Sequence, residues 1–116
     1  MQQKELEALI QSLCEQGNLP NALSLLKQSD DAEIAEAAES LSGQFILAEV
    51  DGEQRIYHQT IETNDEGVEQ EFVEYIMNEG DDVILFVAWF FDLFFSLKQK
   101  DVYQMAGKTY HQPKRR

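Results

Sequence analysis

The sequence predicts an α+β fold, and three observations lead to that prediction. Apolar residues recur at helical spacing through the N-terminal part of the chain. Two segments rich in β-branched and aromatic residues then flank the turn-forming pair Asp51-Gly52. Residues 83–97 form the most apolar stretch of the 116-residue chain and contain Trp89 and five of the seven phenylalanines. We therefore expect N-terminal helices, one central antiparallel β-hairpin, an acidic helix and a C-terminal aromatic core helix.

Three helices are expected before the hairpin. The first covers residues 3–16, where leucine, isoleucine and cysteine side chains line one face. The second begins at Pro20, which a first helical turn tolerates because its missing N–H would have no partner there. The third begins at Ser29 or Asp30, where the Asp30 carboxylate can cap free N–H groups and Glu33 can bond back to the start. These helices form the N-terminal layer.

The β-hairpin is the best-defined local prediction. Asp51-Gly52 accepts the positive φ angles of a tight turn, and residues 44–50 and 53–61 supply the two strands. A two-residue turn pairs apolar with apolar side chains across the strands: Ile46 with Tyr57, and Leu47 with Ile56. Because an isolated hairpin is only marginally stable in water, it must pack against helices or pair with a further strand.

An acidic helix is predicted over residues 65–78. Apolar side chains recur there at positions i, i+4, i+7 and i+8, namely Val68, Phe72, Tyr75 and Ile76. The other face carries glutamates without lysines four residues away to offset their repulsion. Such a face costs some stability and is a candidate surface for a basic partner.

The aromatic stretch of residues 83–97 is expected to form a helix that continues to about Gln99. Charges of the signs that complement a helix dipole flank it: Asp81 and Asp82 before it, Lys98 and Lys100 after it. Residues 83–87 are also compatible with an extended conformation, because apolar residues on every side leave the periodicity undecided. A helix is the favoured interpretation, since the run is long for a strand.

The chain is expected to form one domain without a membrane span. The fifteen residues of the aromatic stretch reach roughly 22 Å at about 1.5 Å each, whereas the hydrocarbon layer is about 30 Å thick. Asp92 lies near the centre of the stretch and would add a further cost in a bilayer. Residues 1–110 are expected to form the domain, with residues 101–110 docked as a strand or irregular segment. Residues 111–116 are expected to form a mobile basic tail.

The search for a catalytic or metal site is negative. The two histidines, His58 and His111, have no second histidine or cysteine at ligand spacing, so we expect neither a metal nor a cofactor. Cys14 stands alone on an apolar helix face, which favours a buried and inert thiol. The sequence has no Gly-rich phosphate loop and no serine in a nucleophile turn. We therefore do not expect an enzyme.

Charge is the feature that points to a function. The net charge is −13, and residues 28–82 carry seventeen acidic groups against the single base Arg55. An acidic surface repels nucleic acid and attracts basic partners. We therefore expect a small non-catalytic cytoplasmic protein, of adaptor, inhibitor or immunity type, that binds a basic protein partner and does not bind nucleic acid directly. The expected partner-binding residues are Glu49, Glu62, Asp65, Glu66, Glu69, Glu71 and Glu74.

Three alternatives stay open at this point. Spaced carboxylates on the hairpin and the acidic helix would let the chain mimic nucleic acid and bind a DNA-binding protein. An aromatic pocket around Trp89 and Tyr75 would suit a small-molecule carrier or enzyme. A homodimer through an exposed aromatic surface is the third alternative, because the chain has more aromatic surface than a small core readily hides.

Overall fold

The computed structural model describes residues 2–110 of the chain. In chain order, the elements of this part are α1 (Gln3–Cys14), α2 (Leu19–Lys27), α3 (Ala32–Ser40), β1 (Phe45–Val50), β2 (Glu53–Thr63), β3 (Glu69–Asn78), α4 (Ile84–Phe95) and α5 (Gln99–Met105). The three strands form one antiparallel sheet in the order β1-β2-β3. The helices and the sheet together confirm the predicted α+β class.

Short polar side chains cap the second and third of the N-terminal helices. The Asn18 side chain accepts a backbone hydrogen bond at 2.9 Å, and Pro20 lies in the first turn of α2, as predicted. Helix α3 is capped by Asp31 and not by Asp30, since the Asp31 carboxylate accepts from the N–H of the second helical residue at 3.0 Å. The Ser29 hydroxyl accepts from the Asp31 N–H at 3.1 Å, so a separate turn precedes the helix and delays its start.

The β1–β2 hairpin has the predicted register. The two-residue turn places Ile46 opposite Tyr57 and Leu47 opposite Ile56. Asp51 and Gly52 both take positive φ angles, 52° and 81°, as this type of turn requires. The apolar pattern and the turn residues were therefore sufficient to fix this pairing.

The predicted acidic helix is wrong, because Glu69–Asn78 form strand β3 along the second edge of β2. The helical spacing did not mark one buried face, since Val68, Phe72 and Tyr75 are 53%, 49% and 48% exposed. Residues 72–76 are aromatic or β-branched except for one glutamate, and they gain a partner by pairing with β2. Strand pairing therefore overrides the apparent helical pattern.

A register shift bends the sheet next to the core. The pairing of β2 with β3 shifts between Ile56 and Tyr57, so one residue of β3 has no direct partner. Ile76 and Met77 are consequently both buried although they are adjacent. From Tyr75 back to the turn, the side chains of β3 alternate between the two faces of the sheet. We call the face toward the helices the inner face and the opposite face the outer face.

The end of the β2–β3 hairpin extends beyond the rest of the sheet. Strand β1 pairs only with residues 53–58, so residues 61–71 have no third strand beside them. We call residues 61–71 the distal ribbon, and every residue in it is exposed. The Asn64 side chain accepts two backbone N–H bonds at 2.9 and 3.0 Å, and Gly67 takes a φ of 80°, which closes the turn. The ribbon is held mainly by pairing between its own two strands.

Helix α4 confirms the predicted aromatic core helix, although it is shorter than expected. It ends at Phe95 because Ser96 takes a left-handed conformation with a φ of 55°, so the helix does not reach Gln99. At its start, the Asp82 carboxylate accepts from the Ile84 N–H at 3.0 Å, in the predicted capping role. Residues 83–87 are therefore part of the helical segment and not an extended strand.

Helix α5 replaces the strand or irregular segment expected after the aromatic stretch. Lys98 is the N-cap residue of α5 and does not belong to the end of α4. The helix buries Val102 and Tyr103 against the core. Seven residues are too few for a helical period to stand out in the sequence, which explains the wrong prediction. The single-domain prediction for residues 1–110 stays a prediction, and residues 111–116 lie outside the described residues.

The aromatic side chains of α4 form the centre of the core. Phe86, Phe90 and Phe91 are at most 1% exposed. The Phe90 ring lies 5.1 to 6.2 Å, between ring centroids, from four other phenylalanine rings of α4. Apolar residues from the other elements surround this cluster, among them Ile10, Leu13, Leu26, Ile34, Met77 and Val102. Asp92 is exposed and accepts a hydrogen bond from Gln99 at 3.3 Å.

Candidate functional site: the distal ribbon and the inner groove

The structure brings together five of the seven predicted partner-binding residues. These five lie on the distal ribbon: Glu62, Asp65, Glu66, Glu69 and Glu71. Glu74 follows on β3, on the inner face. Glu49 is on β1 beside the Asp51-Gly52 turn, at the opposite end of β2, and is therefore separated from the other six.

The carboxylates of the distal ribbon have no basic neighbours among the described residues. Within residues 2–110, the ion pair that joins two described side chains is Lys108–Asp82 at 2.8 Å, outside the ribbon. Arg55 lies on the outer face, with its guanidinium carbon 5.8 Å from the centre of the Tyr75 ring. The Glu71 carboxylate accepts a hydrogen bond from the Gln59 amide at 2.7 Å. The ribbon is consequently a negative surface that other described groups do not neutralise.

A groove runs beside the ribbon, between the inner face of the sheet and the ends of α3 and α4. Its volume is about 510 Å³, and we call it the inner groove. Four apolar side chains form its floor, namely Leu41, Phe72, Leu93 and Phe94. Polar groups line its walls, including Glu62, Glu74 and His58. Phe72 and Leu93 are 49% and 51% exposed, so much of the floor is in contact with water.

Two hydrogen bonds fix the polar wall of the inner groove. The Trp89 indole Nε1–H donates to Glu74 Oε1 at 3.2 Å, which connects the core helix to strand β3. His58 Nε2 lies 2.8 Å from the Gln44 amide oxygen, so its N–H donates to that oxygen. The rings of His58 and Trp89 are 5.0 Å apart between centroids. These contacts hold the Glu74 carboxylate and the His58 ring in defined positions.

His58 is a neutral member of this wall at physiological pH. Partial burial lowers the pKa of its imidazole below the usual value of 6.5, and the neighbouring Glu74 carboxylate opposes that shift. A cationic group that enters the groove therefore meets two carboxylates and an uncharged imidazole.

The outer face of the sheet carries a row of three large side chains that crosses all three strands, and two of the three are aromatic. Ile46, Tyr57 and Tyr75 lie opposite one another, and the two tyrosine rings are 5.7 Å apart. The Tyr75 hydroxyl donates to the Asn78 side chain at 2.8 Å. Trp89 contacts the inner face of the sheet, so Trp89 and Tyr75 line no common pocket, contrary to one of the alternatives above.

Helix α4 exposes little of its aromatic surface. Trp89 is 8% exposed, and the large α4 side chains that remain exposed are Leu85 and Leu93, at 37% and 51%. The exposed aromatic side chains lie instead on β3. Any association of two copies through aromatic residues would therefore use the sheet and not the core helix.

The remaining reactive groups do not assemble into a catalytic or metal cluster among the described residues. Burial raises the pKa of the Cys14 thiol to about 11, so it carries little thiolate at neutral pH. In residues 2–110, no three His, Cys, Asp or Glu side chains are grouped so that they would hold a metal ion. No helix in the same part of the chain combines the length and the apolar character needed to cross a membrane.

Sequence reasoning found the acidic residues of this site but missed the groove beside them. It assigned Phe72 to a buried helix face and did not connect Glu74 with Trp89. The concentration of aromatic and β-branched residues from Phe72 to Ile76 was the available signal, since it favours a strand, and a strand places Phe72 and Glu74 on one face.

Comparison of the chain with protein-family models, with curated proteins and with solved structures found no match. The geometry and the charge of the molecule are therefore the basis for its function.

Proposed function

We propose that this chain is a small non-catalytic protein-binding module that recognises a basic protein partner through the distal ribbon. The observation that carries the proposal is the placement of five carboxylates on an exposed two-stranded ribbon without a described basic neighbour. The carboxylates of this ribbon repel one another, and a bound basic partner would reduce that repulsion. Adaptor, inhibitor and immunity-type roles all fit this mode of action.

The test compares two variants with the same change of net charge. The ribbon variant carries Glu62→Gln, Asp65→Asn, Glu66→Gln, Glu69→Gln and Glu71→Gln. The matched control neutralises five exposed glutamates of the helical layer: Glu5, Glu15, Glu33, Glu36 and Glu39, each to Gln. Each variant is less negative than the parent chain by five charges.

The expected result is loss of partner capture in the ribbon variant only. Immobilised parent chain should capture a basic protein in a salt-sensitive manner, because exposed charge pairs are screened as ionic strength rises. The control variant should retain the same partner, identified by mass spectrometry. Equal capture by both variants, or captured proteins no more basic than background, would rule the proposal out.

A nucleic-acid mimic is the second candidate, and the spacing of two glutamates on β3 favours it. Glu69 and Glu71 follow each other on the outer face of β3, about 7 Å apart along the strand. If the partner is a DNA-binding protein, duplex DNA should compete with the chain for it in proportion to DNA concentration. Capture that persists in excess DNA would separate simple acidic recognition from mimicry.

Two finer aspects belong to the same proposal. We place the protein in the cytoplasm, where a lone and weakly acidic thiol such as Cys14 stays reduced.

A homodimer, if it forms, would use the row of Ile46, Tyr57 and Tyr75 on the outer face. Sedimentation equilibrium of the parent chain and of a Tyr75→Ser variant tests that association.

A further inference from the structure

The inner groove combines an apolar surface with two carboxylates. Phe72 and Leu93 in its floor are each about half exposed, so a ligand that covers them would remove apolar surface from water. Its walls carry the carboxylates of Glu62 and Glu74. A ligand for this groove therefore needs both an apolar group and positive charge.

The two carboxylates stand at a separation that the strand register determines. Glu74 is opposite His58, and Glu62 lies four residues further along β2 on the same face. Four residues of strand correspond to about 13 Å. Thr60 and Phe72 are opposite each other between these two positions, so the apolar floor lies between the acidic ends.

The Glu74 carboxylate is already held in one orientation before a cation binds. The bond from Trp89 Nε1–H occupies Oε1 and fixes the orientation of the carboxylate, so little side-chain freedom is lost when a cation binds. His58 beside it is uncharged at neutral pH and does not compete for the carboxylate. Among residues 2–110, no lysine or arginine lines the groove.

The spacing of the two carboxylates fits an extended occupant, because a cation on each must span about 13 Å along the strand direction. In an extended chain, residues i, i+2 and i+4 face the same side, and i and i+4 are about 13 Å apart.

We infer that the inner groove binds an extended segment of the basic partner, in which two lysine or arginine side chains four residues apart flank an apolar side chain. The two cations contact Glu62 and Glu74, and the apolar side chain covers Phe72 and Leu93. This inference rests on the proposed function and adds the sequence pattern that the partner presents. Charge complementarity selects this occupant, because a second copy of this acidic chain would bring mostly like charges to the groove.

The probe is a synthetic heptapeptide with capped ends, lysine at positions 2 and 6, leucine at position 4, threonine at positions 3 and 5, and glycine at both ends. Trp89 is the single tryptophan of the chain, and its indole contacts Glu74, so its emission reports on this groove. Titration of the full chain should give a saturable, salt-sensitive change in that emission. A peptide with glutamates in place of the lysines should give none, and a leucine-to-serine peptide should bind about tenfold more weakly.

Matched variants separate the groove from general charge. Glu74→Gln and Leu93→Ser alter the groove, whereas Glu53→Gln and Val73→Ser make comparable chemical changes on the outer face of the sheet, outside the distal ribbon and the groove lining. By isothermal titration calorimetry, each groove variant should raise the dissociation constant for the lysine peptide about tenfold. Each outer-face variant should change it less than about threefold.

The groove assignment and the proposed function fail in different ways. Absence of any saturable Trp89 response, or equal effects of the groove and outer-face variants, overturns the groove assignment while partner capture still depends on the ribbon carboxylates. Binding of the glutamate peptide, or a Trp89 emission that changes with protein concentration alone, also overturns it, because the occupant would then be an anion or a second copy. Capture that ignores the ribbon carboxylates overturns the proposed function itself.

Discussion

Strand β3 and helix α4 follow one another in the chain and are both rich in aromatic and aliphatic residues, yet they bury very different shares of them. Seven of the twelve residues of α4 are buried, against two of the ten in β3. Helix α4 is covered by α1, by α5 and by the sheet, whereas β3 is an edge strand that pairs with β2 alone. Position in the topology, and not hydrophobic content, decides which element stabilises the fold and which displays its side chains.

The same contrast divides the molecule into a stable body and a locally held ribbon. The body has a continuous apolar cluster with several fully buried aromatic rings. The distal ribbon has exposed side chains, a five-residue connection and acidic groups that repel each other. Regions with few buried contacts open at lower free energy than the whole protein unfolds. We therefore expect changes in the ribbon to alter binding and changes in α4 to alter global stability.

The largest effect is expected from Phe90→Ala in the centre of the core. Phe90 is fully buried and contacts four other phenylalanine rings, so its truncation should lower the free energy of unfolding by about 3 to 5 kcal/mol. Phe72→Ala, a ring of the same size that is half exposed, should cost less than about 1 kcal/mol. Urea unfolding followed by circular dichroism measures both values. Similar costs for the two substitutions would contradict the contrast between α4 and β3.

The next prediction removes the ribbon while keeping the sheet. The Asn64 N–H donates to the Val68 carbonyl at 3.0 Å, and hydrogen-bonded pairs alternate along an antiparallel ladder. Thr60 and Phe72 lie opposite each other, four positions along the strands from Asn64 and Val68, so they also form a hydrogen-bonded pair. A two-residue turn can join such a pair. Replacing residues 61–71 with Asn-Gly should change the free energy of unfolding by no more than about 1 kcal/mol and abolish salt-sensitive partner capture.

The control for this replacement is the cooperativity of unfolding. Trp89 emission reports on the body, since its indole bonds to Glu74, which the replacement leaves in place. A single urea transition with an unchanged native Trp89 signal is the expected outcome. A broad transition, or loss of the native signal, would show that the ribbon supports the core.

Sequence reasoning was most successful where several local signals agreed. The β1–β2 register followed from apolar pairing together with Asp51-Gly52, and α4 followed from its apolar content and the acidic residues before it. The error at β3 has a specific cause. Val68, Phe72, Tyr75 and Ile76 fit a helical period by chance, because a half-exposed strand with a register shift carries apolar residues on both faces. The free edge of β2 that captures β3 is a tertiary feature without a local sequence signal.

The candidate site was predictable in its charge but not in its shape. Five acidic residues of the ribbon were identified from composition alone. The groove depends on pairs of residues that are distant in sequence, such as Phe72 with Leu93 and Gln44 with His58. The proximity of Phe72 to Leu93 follows from the packing of α4 against β3, which one sequence does not specify.

A smaller and local effect is expected from Gly67→Ala in the turn of the ribbon. Gly67 has a φ of 80°, which an alanine adopts at a cost of about 1 to 2 kcal/mol. A Cβ at this position meets no atom within 4 Å, so the cost is conformational and not steric. Hydrogen exchange of ribbon amides should accelerate, whereas exchange of α4 amides stays unchanged. Acceleration in α4 as well would mean that ribbon and body open together.

The smallest effect concerns His58, which lies where the ribbon joins the body. Burial holds the pKa of folded His58 below 6.5, so the unfolded chain binds more protons as the pH falls from about 7.5 to about 5.5. Stability should therefore be fully present above the unfolded pKa and decrease as acid is added. His58→Gln keeps a donor for the Gln44 oxygen without titrating, so its urea midpoint should vary less over this range. His111 is present in both proteins and cancels in the comparison, so parallel pH profiles would refute the assignment to His58.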